Sequence, residues 1–405
     1  MTLSTLCRIC FLLYLFSTVS FFLKLDDGAS KLFQYLFFII FVLSSYKYVP
    51  KCKQLTFYDR TFLFKLFLGV ICFSIFPAYL YWQQSLSISF IAIMPFLMYS
   101  LYLILIHAKI EKEYIVKCIN TIALLHISIM FLKFIFPSFP LGGILEDADR
   151  GNRLMIAGDM FKLFYFFELL YHYLSFRRRK DLLMLSLSFI CILLPMTRQR
   201  IVAILFLGGI MLFKTLKLKW KLVWIPMTCI FCIIILKSNV GSGMVQMTNE
   251  QMTSENYHSR IREIGIAYYL VGFPDKGGNK LWGNGIPSYG RSKYGNDSKE
   301  FADDTKIYLI DIGLIGIYNY FGILGCIALL GIIFLFICGR CEDKYVYAKY
   351  VLGLLLLNSI TSGVLLAPGE FLFIGISAYL LTPIKYGCFN NNSKLQYEKY
   401  YPKMY

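Results

Sequence analysis

Runs of about 18 or more apolar residues, the length that crosses a bilayer as an α-helix, recur along this chain of 405 residues. Short connectors separate the runs. Lipid offers the backbone no hydrogen-bond partners, so only helices and closed β-barrels span a membrane. A barrel would show alternating segments of about 10 residues, whereas these runs are longer and uniformly apolar. The sequence therefore predicts an all-α integral membrane protein.

Hydropathy predicts about 12 transmembrane helices and one large extracytoplasmic loop at residues 238–306. Residues 1–237 would hold helices 1–9, residues 307–388 helices 10–12, and residues 389–405 a cytoplasmic tail. The predicted spans are Leu6–Leu23, Leu32–Val49, Thr61–Trp82, Leu86–His107, Tyr114–Phe136, Leu154–Phe176, Leu182–Met196, Ile201–Leu216, Leu222–Leu236, Ile307–Cys338, Val346–Leu366 and Phe371–Tyr386.

The formal net charge of +17 comes from 41 Lys and Arg residues against 24 Asp and Glu residues. The basic residues concentrate in every second connector (2–3, 4–5, 6–7, 8–9 and 10–11) and in the C-terminal tail. Cytoplasmic connectors of membrane proteins carry such an excess of Lys and Arg. The alternation predicts that both termini are cytoplasmic, and it explains the charge without a nucleic-acid partner.

The 12 cysteines are scattered through apolar sequence, and the close pair Cys7 and Cys10 lies in helix-forming apolar sequence, which does not favour a metal site or a disulfide framework. They suit the role of small buried hydrophobic residues. No small-residue cleavage site follows the first apolar run, so we interpret this run as a retained span and not as a signal peptide. The sequence therefore predicts no metal site and no cofactor.

Three predicted external connectors each contain a close pair of arginines, against the usual bias for basic residues on the cytoplasmic side. The pairs are Arg150 and Arg153, Arg198 and Arg200, and Arg260 and Arg262. Guanidinium groups bind phosphate oxygens in a bidentate geometry, so arginines at the membrane boundary suit a lipid-linked pyrophosphate. Alternatively, they pair with acids such as Asp149, Glu263 or Asp303, or with lipid head groups.

Three residues of the large loop are candidates for a general base. Asp303 and Asp304 precede the tenth predicted span, where a carboxylate would accept a proton from a sugar hydroxyl. Their alternative role is that of acids at a helix N-terminus, which the helix dipole favours. His258 is the only histidine outside a predicted span, and its alternative role is that of a solvated surface residue.

Residues 254–271 have the pattern of a short amphipathic helix within the loop. Ser254 is its predicted N-cap, and Gly272 and Pro274 end it. His258 and Arg262 are four residues apart and share one face, whereas Arg260 points to another. The apolar face of the predicted helix consists of Tyr257, Ile261, Ile264, Tyr268 and Val271.

The sixth predicted span contains three ionisable residues, which are costly within a membrane and are therefore usually paired or functional. Asp159 and Lys162 have the i,i+3 spacing of a pair near the outer surface. Glu168 lies in the middle of the span and has no obvious partner in the sequence. Its position predicts a water-lined cavity.

Several motifs occur in an order that is similar to that of the O-antigen and capsular polysaccharide polymerase family (Wzy-type), so the chain resembles this family, which is related to the O-antigen ligases. The motifs are Ser259-Arg260-Ile261-Arg262, then Trp282-Gly283-Asn284-Gly285, then Asp303-Asp304, and finally Asp311-Ile312-Gly313-Leu314-Ile315-Gly316 at the start of a span. Arg198 and Gly209 also fit the Arg-x10-Gly spacing of external loops in such polymerases. The resemblance covers about 110 residues of this chain and its overall plan of many spans with one large external loop.

The resemblance implies a glycosyltransferase at the outer face of the bacterial cytoplasmic membrane that needs no metal or cofactor. Such polymerases join oligosaccharide repeat units carried on undecaprenyl pyrophosphate. A hydroxyl of the incoming unit attacks the anomeric carbon of the growing chain, and undecaprenyl pyrophosphate leaves. The external arginines would stabilise the leaving group, and Asp303, Asp304 or His258 would act as the base. A chain-length regulator and a flippase of the same pathway are the expected partners, besides membrane lipid.

Two other functions remain open from the sequence. An O-antigen ligase has the same plan but typically carries a histidine just before the span that follows the large loop, where this chain has Asp303-Asp304. A transporter or flippase for lipid-linked sugars would show internal repeats and interrupted helices. No repeat is visible in the sequence, but Glu168 within the sixth span keeps a transport function open.

Overall fold

The computed structural model describes residues 3–19, 27–47, 58–136, 158–195, 197–215, 258–360 and 362–383. Every regular element within these residues is helical. The α-helices are α1 (Leu3–Ser17), α2 (Asp27–Lys47), α3 (Tyr58–Phe73), α4 (Ile75–Trp82), α5 (Leu86–Ile93), α6 (Leu101–Ala108), α7 (Lys112–Ile135), α8 (Asp159–Phe176), α9 (Arg179–Leu193), α10 (Arg198–Thr215), α11 (His258–Ala267), α12 (Asn279–Trp282), α13 (Lys293–Thr305), α14 (Leu314–Cys338), α15 (Tyr347–Asn358) and α16 (Pro368–Leu381). Short 3₁₀ segments lie at Met94–Ser100, Leu309–Asp311, Asp343–Tyr345 and Gly363–Leu366, and a π-helical turn at Tyr268–Gly272.

Four helical stretches of the described chain are long and apolar enough to cross a membrane: Arg60–Trp82, Leu86–Ala108, Lys112–Ile135 and Leu314–Cys338. The last contains 25 residues and is about 37 Å long at 1.5 Å per residue, more than the roughly 30 Å of a hydrocarbon core. Thr5–Ser17, Lys31–Tyr46 and Gly369–Leu381 are shorter apolar helices. The all-helical class is thus confirmed for the described residues, and several of their helices have the length and apolar composition of membrane spans. The number of twelve spans stays a prediction.

Helices occupy predicted spans 1–8 and 10–12, and predicted span 9 lies outside the described residues. Span 10 differs from its prediction because its helix begins at Leu314, not at Ile307. Gly313 at φ 63° precedes that helix, and Gly322 at φ 66° interrupts it. The helical conformation is therefore interrupted at Gly322.

Helix boundaries follow local capping chemistry at the two polar connectors that matter for the site. Gln83 ends α4 in the left-handed conformation, and the Ser85 hydroxyl accepts a hydrogen bond from the Ile88 N–H at the start of α5. The Ser292 hydroxyl likewise accepts from the Gly295 N–H at the start of α13. Residues 83–85 therefore form a tight turn between two antiparallel helices.

Aromatic rings fill the core where α14 and α16 pack against the 3₁₀ segment Met94–Ser100. The Tyr99 ring stacks on the Phe371 ring with centroids 4.3 Å apart, and Phe96 lies 5.2 Å from Phe321. All four side chains are buried, and such pairs add specific packing geometry to the burial of apolar area. By contrast, Leu32 is 68% exposed and Leu80 is 67% exposed, as expected of side chains that face lipid.

One end of the bundle gathers basic side chains from connectors that are far apart in the sequence, and we call it the basic end. Arg60 donates to the backbone carbonyls of Leu381 and Arg340, each at 3.2 Å. Lys112 forms an ion pair with Glu342 at 2.7 Å. These residues come from predicted cytoplasmic connectors 2–3, 4–5 and 10–11 and from the end of α16, so their assembly at one end agrees with the predicted alternation.

The opposite end of the bundle holds residues 258–313, and we call it the loop end. The turn at residues 83–85 contacts residues 284–292 there. Leu314 also lies at this end, where its backbone N–H donates to the Ser359 carbonyl at 2.9 Å. Helix α14 runs from the loop end to the basic end, so the two ends lie on opposite sides of the predicted membrane-spanning region.

Reporter fusions test whether the two ends face different compartments. Alkaline phosphatase fused after Asp304, at the loop end, is expected to be active because it would be exported. The same reporter fused after Lys180, which lies in a predicted cytoplasmic connector, is expected to be inactive. A fluorescent protein that folds only in the cytoplasm should give the reverse pattern. Identical reporter activity at both positions would contradict the assigned topology.

Candidate functional site

A platform at the loop end forms where residues 273–305 pack on the turn between α4 and α5. The Trp82 ring stacks on the Tyr294 ring at 4.8 Å, and its indole N–H donates to Asn284 Oδ1 at 3.2 Å. The buried Gln84 side chain donates to the Ile286 carbonyl and accepts from the Ser292 hydroxyl. Burial raises the pKa of Tyr294 well above its usual value, so its phenol stays neutral.

The Trp282-Gly283-Asn284-Gly285 motif closes the break in α14. The backbone N–H of Asn284 donates to the Asn319 carbonyl at 2.8 Å, and that of Gly285 donates to the Tyr320 carbonyl at 3.1 Å. Gly322, where the helix is interrupted, has φ 66°. The carbonyls that lose their intrahelical partners at the break thus gain new donors from the loop. A motif that carries the family resemblance therefore has a structural role in this protein.

Glycine is required on both sides of this contact. A Cβ atom placed on Gly283 would lie 2.2 Å from the Tyr320 carbonyl oxygen, and one on Gly322 would lie 2.2 Å from the Leu281 carbonyl oxygen. Both glycines also have positive φ, which other residues adopt only at a cost. The loop backbone and α14 therefore approach more closely than any side chain would allow.

Alanine substitutions test this close approach. Gly283→Ala and Gly322→Ala should each lower the free energy of unfolding by about 2–4 kcal/mol, because the new Cβ forces the two backbones apart and strains the left-handed residue. Thermal unfolding of the detergent-solubilised protein measures the change. Gly69→Ala is the matched control, since a Cβ at Gly69 meets nothing within 4 Å. Equal unfolding temperatures for all three variants would contradict the contact.

Helix α11 (His258–Ala267) and the π-helical turn that follows it form the other part of the loop end. The helix packs through Gly265, whose Cβ position lies close to Ile307 and Ile312. The predicted apolar face is wrong in part, because Ile264 is 52% exposed and Val271 is 82% exposed. Gly265 lets residues 307–312 approach, so the buried face centres on it. The predicted residues Ser254 and Tyr257 lie outside the described residues.

Arg262 lies on the packed side of α11, next to Gly265. The side chain is half-buried, and its Nε–H is buried with no hydrogen-bond partner among the residues that the structure describes. A buried donor without an acceptor is unfavourable, so this N–H is available to an anionic ligand. His258 and Arg260 lie in the first turn of the same helix, and only their backbone is among the described atoms.

A charged cluster within the bundle centres on Asp159, the first residue of α8. Its carboxylate contacts Lys162 Nζ at 2.8 Å and Arg200 Nη1 at 2.6 Å, and His126 Nε2 lies 3.8 Å away. The predicted Asp159–Lys162 pair is confirmed. Among the described residues, Arg200 also pairs with Asp159 and not with Glu263 or Asp303, whereas Asp149 lies outside them. Apart from its place within a predicted span, nothing in the sequence predicts that His126 lies near this carboxylate.

Further polar groups surround this cluster at the loop end. Lys162 also donates to the Cys191 carbonyl at 3.2 Å, so its ammonium group is well satisfied. The Glu370 carboxyl interacts electrostatically with Arg200 and Asp159. Glu370 is also missing from the sequence-based site, although its place in the predicted external turn between spans 11 and 12 puts it on the same side as Arg200.

Glu168 has a partner, which corrects its prediction as an isolated group. The Asn120 side-chain amide of α7 donates to Glu168 Oε1 at 3.1 Å, whereas Oε2 is buried without a hydrogen-bond partner. Glu168 is 6% exposed. Asn120 is a polar residue within the fifth predicted span. A polar residue at this position in the sequence is an indication of a buried partner for Glu168.

The acids proposed as a general base lie at the C-terminal end of a helix, whereas their alternative predicted role placed them at a helix N-terminus. Asp303 and Asp304 are exposed in the last turn of α13, so the alternative role as helix N-terminal acids is wrong. The error arises because the loop forms a helix of its own before α14 begins. Asp303 accepts a hydrogen bond from the Tyr308 hydroxyl at 3.3 Å, whereas the structure assigns no hydrogen bond to Asp304.

The loop and the arginine-bearing helix α10 meet at the C-terminal end of α15. Leu314, which follows the segment that packs on α11, donates its N–H to the Ser359 carbonyl at 2.9 Å. From the other side, the Gln199 side chain donates to the Asn358 carbonyl at 3.0 Å. Asn358 is buried, and both polar atoms of its own side chain lack partners. The end of α15 thus joins the two arginine-bearing parts.

The side-chain surroundings of the remaining predicted arginines lie outside what the structure describes. Arg198 is the first residue of α10, and only its backbone is among the described atoms. Arg150 and Arg153 lie outside the described residues. Of the three predicted arginine pairs, the structure therefore gives the side-chain surroundings of Arg200 and Arg262.

Comparison with protein-family models and with curated proteins finds no match to this chain.

Removal of the central carboxylate tests the charged cluster. Asp159→Asn leaves Lys162 and Arg200 without their counter-ion, and an uncompensated buried charge costs about 3–5 kcal/mol. The free energy of unfolding in mixed detergent should fall by that amount. Asp304→Asn is the control, because this exposed acid should change stability by less than about 0.5 kcal/mol. A stable Asp159→Asn variant would show that the cluster does not hold α8 and α10 together.

Proposed function

We propose that this chain is a glycosyltransferase that polymerises oligosaccharide repeat units, carried on undecaprenyl pyrophosphate, into O-antigen or capsular polysaccharide. One observation supports the proposal beyond the motif resemblance: the segment on which α11 packs and the start of α10 both contact the C-terminal end of α15, and α11 and α10 each carry arginines. Arg262 of α11 has a buried Nε–H without a hydrogen-bond partner among the described residues, and α10 begins at Arg198. A pyrophosphate bound between them would be contacted from two sides.

The arginines have different roles in this proposal. Arg200 is held by Asp159 at 2.6 Å, so this carboxylate offsets its charge within the protein. We assign it a positioning role at the start of α10. Arg198 and Arg262 would stabilise the charge that develops on the leaving pyrophosphate, a task that suits the planar guanidinium group. Arg150, Arg153 and Arg260 are further candidates for the same phosphate groups.

The acceptor hydroxyl needs a base, and three candidates remain. Asp304 is exposed and the structure assigns it no hydrogen bond, whereas Asp303 accepts one from Tyr308. An exposed carboxylate at the loop end is free to reach a sugar hydroxyl, because α13 presents it to the solvent. His258 lies in the first turn of α11, the helix that carries Arg262. The reaction needs neither metal nor cofactor in this mechanism.

The proposed location is the bacterial cytoplasmic membrane, with the loop end on its outer face and both termini in the cytoplasm. The basic end would then lie on the cytoplasmic side, as the excess of Lys and Arg in its connectors favours. The substrate's polyprenyl chain would remain in the lipid next to the loop end. A flippase that delivers repeat units and a chain-length regulator are the proposed partners.

Arginine substitutions test the proposal directly. Arg198→Ala and Arg262→Ala should each reduce chain extension by about 10²–10³-fold, the usual effect of removing one group that stabilises transition-state charge. The protein level should stay normal. Electrophoresis of the glycan from complemented deletion strains measures the polymer length. Arg291→Ala is the matched control, because Arg291 is an exposed loop arginine outside the proposed site.

The glycan phenotype also separates the proposed function from its rivals. A polymerase deletion leaves single repeat units on the acceptor, a ligase deletion leaves lipid A without glycan, and a flippase deletion accumulates repeat units that face the cytoplasm. Polymer of normal length in both arginine variants would reject the role of the arginines. A ligase or flippase phenotype in the deletion strain would reject polymerisation itself.

A further inference from the structure

A partly open apolar cavity of about 400 Å³ lies between α8, α9 and α10. Its size falls within the range of roughly 300–1,000 Å³ that ligand pockets have. The lining includes Leu170, Tyr173, Arg177, Leu185, Phe189 and Leu212, and Arg177 is the one charged residue among the lining residues that the structure describes. A cavity with this lining selects a hydrocarbon chain over a polar ligand.

Four consecutive basic residues, Arg177 to Lys180, lie where α8 ends and α9 begins, and all four are exposed. Arg177 also lines the cavity. The Arg178 guanidinium lies 5.3 Å from the centre of the Phe176 ring. None of the four forms an ion pair within the described part of the chain. The cavity mouth therefore presents positive charge that no ion pair within the described residues neutralises.

We propose that this cavity binds one acyl chain of an anionic phospholipid, whose phosphate group contacts Arg177 and the neighbouring basic residues. An apolar cavity beside uncompensated arginines matches the two parts of such a lipid, because guanidinium groups bind phosphate and the chain fills the cavity. Neutral zwitterionic lipids carry a compensating positive charge in the head group. They should therefore bind less tightly.

This lipid site is separate from the proposed polymerase site. Arg177 follows the C-terminal end of α8, whereas Asp159 is the first residue of the same helix. Arg177 follows Asp159 by eighteen positions along the helix, or about 27 Å at 1.5 Å per residue. The proposal does not depend on the protein's enzymatic activity, because it concerns the side of the bundle that faces away from the loop end.

Lipid binding to the full-length purified protein tests the site. Native mass spectrometry would compare phosphatidylglycerol with phosphatidylcholine for the wild type and three variants. Arg177→Gln should weaken phosphatidylglycerol binding about fivefold, the effect of one basic residue near an anionic head group, and leave phosphatidylcholine binding unchanged. Leu185→Trp should abolish the site by filling the cavity. Leu183→Trp is its control, because Leu183 is 62% exposed on the same helix and does not line the cavity.

A second measurement avoids reliance on the folding of Leu185→Trp. A phosphatidylglycerol with a photoreactive group on its acyl chain should crosslink to residues 182–189 of the wild type, and excess unlabelled phosphatidylglycerol should compete. Equal binding of the two lipids, or unchanged binding to Leu185→Trp, would overturn the proposal. A photoreactive amino acid at position 185 that crosslinks to residues 216–257 would also overturn it, since the chain itself would then fill the cavity.

Discussion

Two backbone hydrogen bonds, from Asn284 to the Asn319 carbonyl and from Gly285 to the Tyr320 carbonyl, join the loop end to the helical bundle. A membrane helix that breaks at Gly322 must find donors for the carbonyls that the break exposes, because lipid supplies none. The loop supplies them, and glycines allow the close approach. The position of the polar platform over the bundle follows from this requirement for satisfied backbone groups.

The charged cluster around Asp159 obeys a related constraint, since ionised groups inside a bundle need partners. One carboxylate contacts Lys162 from its own helix and Arg200 from α10, so it links two spans through a shared charge. This link fixes the start of α10, and with it the position of Arg198, the neighbouring arginine. Under the proposed function, the cluster would position the start of α10 for an anionic ligand without binding that ligand itself.

Much of the fold could be predicted because hydropathy and charge act locally along the sequence. The helices, the assembly of Arg60 and Lys112 at one end, and the i,i+3 pair of Asp159 and Lys162 all follow from spacing. Contacts between distant segments could not be predicted in this way. The pairing of Arg200 with Asp159 needs α8 and α10 to be neighbours, and only the tertiary structure specifies that arrangement.

The errors within the candidate site have the same origin. The buried face of α11 centres on Gly265. The close approach of residues 307–312 determines this face, whereas the prediction relied on the large apolar residues of the helix itself. Asp303 and Asp304 lie at the end of one helix and not at the start of the next, because the polar segment Lys293–Thr305 forms its own backbone hydrogen bonds as α13.

Gln84 has a consequence for biosynthesis. It lies buried in the turn between α4 and α5, and its main partners lie more than 200 residues later in the chain. At the usual 5–20 residues per second, the ribosome needs about 10–40 s to supply them. During that interval the Gln84 amide has the Ser89 hydroxyl as its partner within the hairpin, but it lacks the loop groups that it contacts in the folded protein. The turn between α4 and α5 therefore depends on the late loop for its final contacts.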